Sequence, residues 1–300
     1  MILAAGRGAR LEPLSRTTPK ALLPILDRPL VDRQLEALRA CGVRSVTLVV
    51  RHLAEQLRAH LVGWASELQL AFVEQPEPRG IADALACAST RLEQPFLCVL
   101  GDVFFEASDL ARVARGLASA DAALGVAPRA SPAELARNFG VQLDAGGWVE
   151  HVEEKPRGAQ PGPKGVGLYA FRPDFLTVAR ATPASALRGE HELTDAIERY
   201  LALGKRVRAV PCYGRDFNLS GPADLLAANL HALERTGRSH WSAPSAVIEP
   251  GAELEHAVVL AGARVTARAR LERVLVFPGE QVPAGDHRDC VFALGTVLRV

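Results

Sequence analysis

Short apolar segments alternate with amphipathic segments along the first two-thirds of the chain. The apolar segments end on polar or small residues, a pattern that predicts buried β-strands. They are residues 2–5, 46–50, 68–74, 96–100 and 122–126. Between them, apolar residues recur every three to four positions, as on one face of an amphipathic helix. The predicted helices cover residues 31–40, 54–64, 81–91 and 108–118.

Strands that alternate with helices favour a mainly parallel sheet flanked by helices on both sides. In such Rossmann-like sheets, ligands bind where the carboxyl ends of the strands meet. Three loops follow predicted strands and are therefore candidate binding loops. They begin after Ala5, after Glu74 and after Leu100.

The pattern changes after Gly140. Residues 141–143, 148–153 and 166–171 are predicted strands, and no helix separates the first two. The letters DAGG between those two strands are typical of a hairpin turn. Further helices are predicted at 193–203 and 222–236. The predicted fold class is therefore α/β, with a mixed, mainly parallel sheet and an antiparallel excursion in its second half.

A different period governs the C-terminal segment. Ile248 and Leu254 are six residues apart, Leu254 and Val259 five, and Val259, Val265 and Leu271 again six. An aliphatic residue at every sixth position, with interspersed Gly and Ala, resembles the hexapeptide repeats of a left-handed parallel β-helix. A short β-meander with coincidental spacing is the alternative. The predicted organisation is an α/β domain at 1–236, a linker at 237–245 and a β-helical tail at 246–300.

Composition narrows the function classes. The chain has 300 residues, with 35 Lys and Arg against 34 Asp and Glu and a net charge of +1. This balance argues against nucleic acid as the partner, because polyanion-binding proteins carry excess positive charge. The five cysteines are scattered and form no CxxC pair, so neither a disulfide framework nor a zinc site is expected. No apolar segment has membrane-spanning length or signal-peptide character, so we expect a cytoplasmic protein without a membrane partner.

The first loop carries the residues with the most obvious chemistry. Gly6 and Gly8 follow a predicted strand, and backbone N–H groups in such a Gly-x-Gly turn can converge on a phosphate. Arg10 can form paired hydrogen bonds to phosphate oxygens, and Lys20 adds a compact positive charge. A tight turn with ordinary surface cations is the alternative interpretation of these residues.

Several segments resemble the sugar-1-phosphate nucleotidylyltransferases, also called nucleotide-sugar pyrophosphorylases. The opening segment LAAGRGARLEPLSRTTPKALLPILDRPLV matches the signature of that family. In order and spacing there follow QPEPRGIADAL, GDVFF, NFGVQLDAGGWVEHVEEKP, GVGLYAF, RGEHELTDAI and FNLSGPADLLAAN. The likeness covers nearly all of residues 1–235, and the tail resembles the left-handed β-helix of longer members. Members usually carry a few residues before the first strand, so here either that strand is short or the start lies upstream of Met1.

The resemblance implies attack of a sugar-1-phosphate oxygen on the α-phosphorus of a nucleoside triphosphate, with release of pyrophosphate. Both reactants are anions, so positioning and charge neutralisation supply the catalysis, and no covalent nucleophile is needed. In this scheme Gly6 and Gly8 cradle the triphosphate. Arg10 holds the departing β- and γ-phosphates, and Lys20 lies near the α-phosphate, where charge builds up in the transition state.

The resemblance also implies a magnesium cofactor. Asp102, after a predicted apolar strand, matches a family ligand, and Mg²⁺ prefers carboxylate together with phosphate and water. Many members carry Asp at the second ligand position, where this chain has Asn218 in the run NLSGP. An Asn carbonyl can ligate Mg²⁺, but one negative charge is lost, so we expect weaker metal binding. Outside that context, Asp102 is an ordinary turn-forming residue.

Gln75 and Gly80 match base-binding residues of members that use pyrimidine nucleotides. The Gln side chain offers a donor and an acceptor for the imide edge of uracil or thymine. Gly80 would let the backbone approach the ring. A polar turn after a strand is the alternative interpretation.

On the sugar side, the resemblance assigns Glu154 to sugar hydroxyls, Lys155 to the sugar phosphate and Gly140 to a backbone contact with the sugar. Adjacent side chains of a strand point to opposite faces, so Glu154 and Lys155 reach one ligand only if the strand ends near Pro156. Arg188 matches a sugar-phosphate residue of thymidylyltransferases. Capping of the following helix is the alternative role for that segment.

The predicted function is transfer of a nucleotidyl group from dTTP or UTP to glucose-1-phosphate, giving an NDP-sugar. Within the same family, mannose-1-phosphate guanylyltransferase is the alternative. A glycosyltransferase would need a DxD metal motif, which residues 102–104 do not supply, and an acyltransferase would need more coils and a catalytic histidine. A non-catalytic regulatory relative stays open, because Asn218 departs from the common pattern. The tail is expected to hold a homo-oligomer together, because an unfinished solenoid exposes an apolar end.

Overall fold

The computed structural model describes every residue from Met1 to Val300. The strands are β1 (Ile2–Ala4), β2 (Pro24–Ile25), β3 (Arg28–Pro29), β4 (Ser45–Val50), β5 (Gln69–Glu74), β6 (Phe96–Leu100), β7 (Val103–Phe104), β8 (Ala122–Ala130), β9 (Phe139–Leu143), β10 (Val149–Glu154), β11 (Gly162–Phe171), β12 (Val207–Pro211), β13 (Phe217–Asn218), β14 (His240–Ser242), β15 (Val247–Ile248), β16 (Glu253–Val259), β17 (Arg264–Val265), β18 (Ala269–Val276), β19 (Gln281–Val282), β20 (Gly285–Ala293) and β21 (Thr296–Arg299). The α-helices are α1 (Leu14–Thr17), α2 (Leu30–Ala40), α3 (Ala54–Leu61), α4 (Ile81–Cys87), α5 (Ala107–Gly116), α6 (Pro132–Leu135), α7 (Asp174–Ala181), α8 (Leu193–Ala202) and α9 (Pro222–Glu234). Short 3-10 helices lie at Ala9–Leu11, Lys20–Leu22, Val62–Trp64, Ser89–Arg91 and Leu117–Ser119.

The chain divides into two compact units that do not follow the linear order of the sequence. Unit 1 contains Met1–Gly6 and Gln34–Asp216, and unit 2 contains Arg7–Arg33 and Phe217–Val300. The N-terminal loop and α9 therefore group with the C-terminal coil, whereas sequence patterning assigns them to a domain ending at residue 236. The two units are described separately below.

Unit 1 is built on one nine-stranded mixed sheet. Its parallel half has the strand order β5-β4-β1-β6, and β11 pairs with β6 in the antiparallel direction. The long strand β11 also pairs with β9 and β8, which in turn carry antiparallel β10 and parallel β12. The α/β class and the antiparallel second half of the sheet are therefore as predicted.

Helices cover both faces of this sheet. On β8, Ala122 and Leu124 join a core cluster to which α4, α7 and α8 contribute. Ala123 lies between them on the strand and so points to the opposite face. There it meets α5, because a Cβ added to Gly116 of that helix would come within 3.0 Å of the Ala123 Cβ. The sheet is thus enclosed by helices, as expected for a largely parallel sheet.

An aromatic cluster anchors helix α7, which the sequence pattern does not predict. Helix α7 packs Phe175 against Phe171 of β11, with ring centroids 3.9 Å apart, and Tyr200 of α8 meets Phe175 edge-on at 5.1 Å. The signal for α7 is Pro173 followed by buried residues three to four positions apart. Strand β12 shows the alternation of buried and half-buried residues that is typical of a strand.

In unit 2, the last helix is tied to the N-terminal hairpin by one buried amide. Strands β2 and β3 form an antiparallel hairpin. The side chain of Asn229 in α9 accepts a hydrogen bond from the Leu26 N–H (2.7 Å) and donates to the Pro24 carbonyl (2.9 Å). Asn229 is fully buried, so these bonds satisfy polar groups that would otherwise be left without partners.

The C-terminal part of unit 2 is a coil of short parallel strands. Leu254 pairs with Leu271, and Val247 with Arg264, each seventeen residues later. This repeat equals two predicted six-residue intervals plus one of five, so the aliphatic spacing in the sequence corresponds to one turn of the coil. The aliphatic residues with the predicted spacing, such as Val265, Leu271 and Val282, fill the interior of the coil.

The coil turns sharply at corresponding residues of successive turns. His256, Arg273 and Asp289 all have positive φ, between 46° and 55°. The final strand, β21, folds back antiparallel on β20. The segment 237–245, predicted as a linker, differs from that prediction: it contains β14, which pairs in parallel with β16.

No helix in the chain combines the length and apolar character that a membrane crossing requires.

Candidate active site

Two candidate residues of unit 1 lie at the reversal point of its sheet. Strands β4 and β6 flank β1 on opposite sides, so the connections after β1 and β6 diverge. Ligands of doubly wound sheets bind in the crevice at such a reversal, outside the carboxyl ends of the strands. Gly6 follows β1 and Asp102 follows β6. The fold therefore brings the start of the Gly-x-Gly loop and the Asp102 carboxylate to one edge of the sheet.

The turn that carries Asp102 is held from two sides. The Gly101 N–H donates to the Leu3 carbonyl (2.8 Å), and a Cβ added to Gly101 would lie 2.7 Å from that oxygen. The side-chain amide of Gln34 donates to the carbonyls of Leu100 and Val103, both at 2.9 Å. Gln34 is buried, and its Oε1 has no hydrogen-bond partner. These contacts fix the backbone on both sides of Asp102.

In unit 2, the Gly8 turn and Lys20 fit closely together. Gly8 has a φ of 70°, a conformation in which a side chain is strained. A Cβ at Gly8 would lie 2.5 Å from the Lys20 Cε, so the lysine stem occupies the space that the glycine leaves open. The Ser15 hydroxyl donates to the Gly8 carbonyl (2.8 Å). The structure therefore places a cation directly beside the predicted phosphate-binding turn.

A chain of hydrogen bonds in unit 2 connects Arg10 to Asn218. The Arg10 guanidinium donates to the Ser220 hydroxyl (3.4 Å), which donates to the Asn218 Oδ1 (3.2 Å). Asp224, at the start of α9, accepts from the backbone N–H groups of Ser220 (3.1 Å) and Gly221 (2.9 Å). These hydrogen bonds to Asp224 hold the NLSGP turn in place. Arg10 and Asn218 lie at opposite ends of one chain of hydrogen bonds through Ser220.

Gln75 and Gly80 are also brought together, in unit 1. The Gln75 side-chain amide donates to the Gly80 carbonyl (3.1 Å) and to the Asp83 carboxylate (2.8 Å). Gly80 has a φ of 118°, and a Cβ there would lie 2.5 Å from the His191 carbonyl oxygen. The loop after β5 is thereby packed against the segment before α8. This close packing by itself explains why position 80 is a glycine.

The predicted sugar-side residues form one cluster in unit 1. Strand β10 ends at Glu154, and Lys155 has a positive φ of 47°. This turn directs both side chains to one side, with the Lys155 Nζ 3.4 Å from the Glu154 carboxylate. Arg188 donates to the Glu154 carbonyl (2.9 Å), and a Cβ at Gly140 would lie 3.4 Å from the Pro156 ring. The strand thus ends where the prediction requires.

The segment before Leu193 supplies the N-cap residue of the following helix, as the alternative interpretation expects, but that residue is not Arg188. The N-cap residue of α8 is Glu192, whose carboxylate lies 3.2 Å from the Arg188 Nε. The guanidinium is held between this carboxylate and the Glu154 carbonyl. The observed contacts therefore turn Arg188 toward the cluster of Glu154 and Lys155.

Electrostatics distinguish this cluster from a surface ion pair. Burial raises the pKa of the Glu154 carboxyl above its usual value, against the opposing charges of Lys155 and Arg188. Burial and the nearby Glu154 charge raise the pKa of Glu192 as well. Carboxyl groups with perturbed pKa values beside cations are typical of ligand-binding sites.

The comparisons with known proteins show to which family the chain belongs. The family model described as nucleotidyl transferase matches residues 1–221. A glucose-1-phosphate thymidylyltransferase of Streptomyces griseus is 32% identical over 294 residues, covering 93% of this chain and 80% of its own length. The enzyme of that name from Streptomyces antibioticus is 31% identical, covering 94% and 78%. The chain belongs to the nucleotidyl transferase family. The resemblance to the sugar-1-phosphate members is thereby confirmed.

Solved structures show the same fold for this nucleotidyl transferase. The structure of a UDP-glucose pyrophosphorylase complexed with UDP-glucose superposes with a TM-score of 0.68 at 19% identity. The match covers 78% of this chain and 97% of that one. At this identity the comparison establishes the fold only.

The donor set of this nucleotidyl transferase can be tested for a divalent metal, which members of the family generally use. No group of three or more His, Cys, Asp or Glu side chains could form a complete protein cage for a metal. The Asp102 carboxylate and the Asn218 amide carbonyl are oxygen donors, as Mg²⁺ prefers, and that ion normally completes its shell with phosphate and water. Ser220 occupies one lone pair of the Asn218 oxygen and leaves the other for a cation. Each of the two side chains, Asp102 in unit 1 and Asn218 in unit 2, therefore offers an oxygen donor of the kind that such an ion prefers.

Three residues of the candidate site are not among the predicted site residues. Gln34, Asp83 and Ser220 act by holding other side chains or turns. A usable sequence signal exists for Gln34, which interrupts the apolar face of α2 between Leu30 and Leu38. For Asp83 and Ser220, no spacing in the sequence points to the partners that they contact.

Proposed function

We propose that this chain catalyses the reaction of dTTP or UTP with glucose-1-phosphate, forming an NDP-glucose and pyrophosphate. The observation that carries the proposal is the cluster of Glu154, Lys155 and Arg188, held together at the end of β10 by a residue with positive φ. Its two cations suit the phosphate of a sugar-1-phosphate, and its partly buried carboxylate suits sugar hydroxyls. The thymidylyltransferase names of the two Streptomyces relatives support the choice of substrates.

Binding roles in unit 1 follow from the contacts there. Lys155 and Arg188 would hold the sugar phosphate, and Glu154 would accept hydrogen bonds from sugar hydroxyls. The Gly140 backbone would meet the sugar. Gln75 would bind the base with Gly80 as its neighbour, and the carboxylate of Asp102 would ligate Mg²⁺. Holding the two anions in place lowers the entropic cost of the in-line attack.

Binding roles in unit 2 follow from the N-terminal loop. The backbone N–H groups around Gly8 would bind the triphosphate. Gly6, two residues earlier in the same loop, would take part in the same binding. Lys20 would stabilise charge on the α-phosphate, and Arg10 would hold the pyrophosphate as it leaves. Asn218 would contribute its carbonyl oxygen to Mg²⁺. When bound, that ion would neutralise phosphate charge and polarise the phosphoryl oxygens.

The test is a matrix of reactions followed by pyrophosphate release. Each of dTTP, UTP, GTP, CTP and ATP is combined with glucose-, galactose- and mannose-1-phosphate, in the presence of Mg²⁺ or EDTA. We expect the highest kcat/KM for dTTP or UTP with glucose-1-phosphate and no turnover with EDTA. Preference for GTP with mannose-1-phosphate would support the guanylyltransferase alternative. No pyrophosphate from any pair would support a non-catalytic relative.

We further propose that residues 1–236 carry the chemistry and that the tail at 246–300, after the segment 237–245, is a left-handed β-helix that joins copies of the chain. The aliphatic period and the seventeen-residue turn support the β-helix. Leu294, Val297 and Val300, at the end of the coil, are exposed apolar residues. The double variant Leu294→Glu, Val297→Glu should shift a wild-type oligomer toward monomer in light scattering. Equal monomeric masses for both proteins would contradict the oligomer.

A further inference from the structure

The side-chain amide of Gln75 has both of its hydrogens engaged within the protein. One is donated to the Gly80 carbonyl at 3.1 Å and one to the Asp83 carboxylate at 2.8 Å. Both partners are acceptors only, so the group that faces them must be the NH₂ end of the amide. The Gln75 side chain can therefore offer a nucleobase only its Oε1 atom.

Asp83 is itself held in place. It lies in the first turn of α4, and Arg79 forms an ion pair with its other carboxylate oxygen at 3.1 Å. The Asp83 side chain is only 12% exposed. A flip of the Gln75 amide would place Oε1 against a carboxylate and a carbonyl, which replaces a charge-assisted hydrogen bond by repulsion.

We propose that Asp83 is a specificity-determining residue that fixes the Gln75 amide so that the base site accepts only nucleobases with a ring N–H on their pairing edge. The inference rests on the proposed function, in which Gln75 binds the base. Asp83 acts through Gln75 and is a positioning residue, since it needs no contact with the substrate.

The chemistry of the bases determines which nucleotides this arrangement admits. Uracil and thymine carry a protonated N3, which donates to Oε1, whereas the N3 of cytosine is an acceptor and would face Oε1 with a repulsive contact. Guanine has a protonated N1 and adenine does not, so the same device admits GTP and excludes ATP. UTP and CTP have the same size and sugar, and the comparison between them isolates the effect of Asp83.

The test is the ratio of kcat/KM for UTP over CTP in the wild type and in Asp83→Asn. A site that pairs with a substrate N–H rejects an analogue without it by about 10⁴-fold, so we expect a large wild-type ratio. The Asn side chain can turn its own NH₂ toward Gln75 and permit the flip, although the Gly80 carbonyl still opposes it. The ratio should therefore fall about tenfold. A ratio within twofold of wild type, or equal weakening of both nucleotides, would overturn the proposal.

Glu77→Gln is the matched control, because Glu77 is the other carboxylate near Arg79, at 3.9 Å, and its side chain is 71% exposed. Its UTP/CTP ratio should equal that of the wild type; a tenfold fall in this control would mean that general loss of negative charge causes the change, and would overturn the role of Asp83. If Asp83→Asn shows no cooperative thermal unfolding, Asp83→Ser tests the same loss of the carboxylate.

Equilibrium binding of UTP and CTP, without any sugar phosphate, separates this proposal from the proposed function. Absent turnover with every substrate pair would refute the function. A preference for UTP that depends on Asp83 would still support the proposal that Asp83 fixes the Gln75 amide. Preferential binding of CTP by the wild type would overturn the role of Asp83, whether or not the protein turns over any substrate pair.

Discussion

The mixed sheet of unit 1 and the mainly parallel coil of unit 2 use polar residues differently. In the sheet, Lys164 and Asp216 form an ion pair at 2.9 Å with side chains only 7% and 12% exposed. In the coil, Arg270 pairs with Glu253 of the preceding turn at 2.8 Å, with both side chains more than 60% exposed. The sheet thus places charge inside the protein, and the coil keeps it on the outside.

The difference follows from how each region connects its strands. Crossover helices and loops in unit 1 bring distant segments to the strand ends, where Asp102, Gln75 and Glu154 lie. In the coil, tight turns return each strand beside the previous one, so each position pairs with its equivalent one turn away. A repeat therefore builds a regular core and a regular surface, whereas irregular connections build a site.

Substitution of the sugar-side lysine tests whether chemistry belongs to unit 1. Lys155→Ala should lower kcat/KM about 10²- to 10³-fold, because a cation beside the sugar phosphate is lost. Its side chain is 46% exposed, so the melting temperature should change little. Steady-state kinetics and thermal unfolding measure the two effects. The control is Lys205→Ala, an exposed lysine paired with Asp174 outside the site, and full activity in Lys155→Ala would contradict the assignment.

Removal of the buried ion pair in the sheet should produce the largest loss of stability. Lys164→Ala leaves the Asp216 carboxylate with little solvent and no cation, which costs about 3 kcal/mol of unfolding free energy. Urea unfolding measures this loss. The double variant with Asp216→Ala should recover part of it, since the unpaired charge is then gone. A single variant as stable as wild type would show that the pair is not buried in solution.

Neutralisation of Glu154 should have a smaller effect, and it should depend on pH. Burial raises the pKa of this carboxyl in the folded state, so the contribution of Glu154 to stability is present below its ordinary pKa and is lost as pH rises through the raised value. Glu154→Gln should therefore melt about 2 °C higher than wild type at pH 8 and equally at pH 4. Calorimetry at both values measures the difference. A variant that is less stable at pH 8 would reverse the sign and contradict the assigned cause.

Removal of one exposed ion pair of the coil should have the smallest effect. Arg270→Ala should change the melting temperature by less than about 1 °C, because solvent screens exposed pairs. Differential scanning calorimetry at low and high salt measures the shift. A loss comparable to that of Lys164→Ala would remove the distinction between the two regions.

Prediction from sequence succeeds where the signal is local. The runs at 96–100 and 122–126 and the six-residue period of the tail all rest on residues that are neighbours in the chain. Segment 237–245 is predicted as a linker, yet pairing with β16 makes part of it a strand. Helix α7 is short, and its stability depends on the contact between Phe171 and Phe175.

The candidate site divides in the same way. Gly8 and Lys20 belong to one continuous motif, and Glu154 and Lys155 to another, so a resemblance finds them. Gln34 has no motif, because it acts on carbonyls 66 and 69 residues away along the chain. Asp83 lies within the matched segment QPEPRGIADAL, but its effect on Gln75 depends on a helix start that points both side chains at each other.

The sequence by itself determined the alternation of strands and helices, the period of the coil and the family to which the chain belongs, because each is encoded by residues near one another. Only the tertiary structure decided which polar atoms meet: that Gln75 turns its NH₂ toward Asp83 and that Gln34 holds the turn of Asp102. Hydrophobic burial needs only the correct face of an element. A hydrogen bond needs two atoms within about 3 Å, and that precision depends on the register and packing of the whole fold.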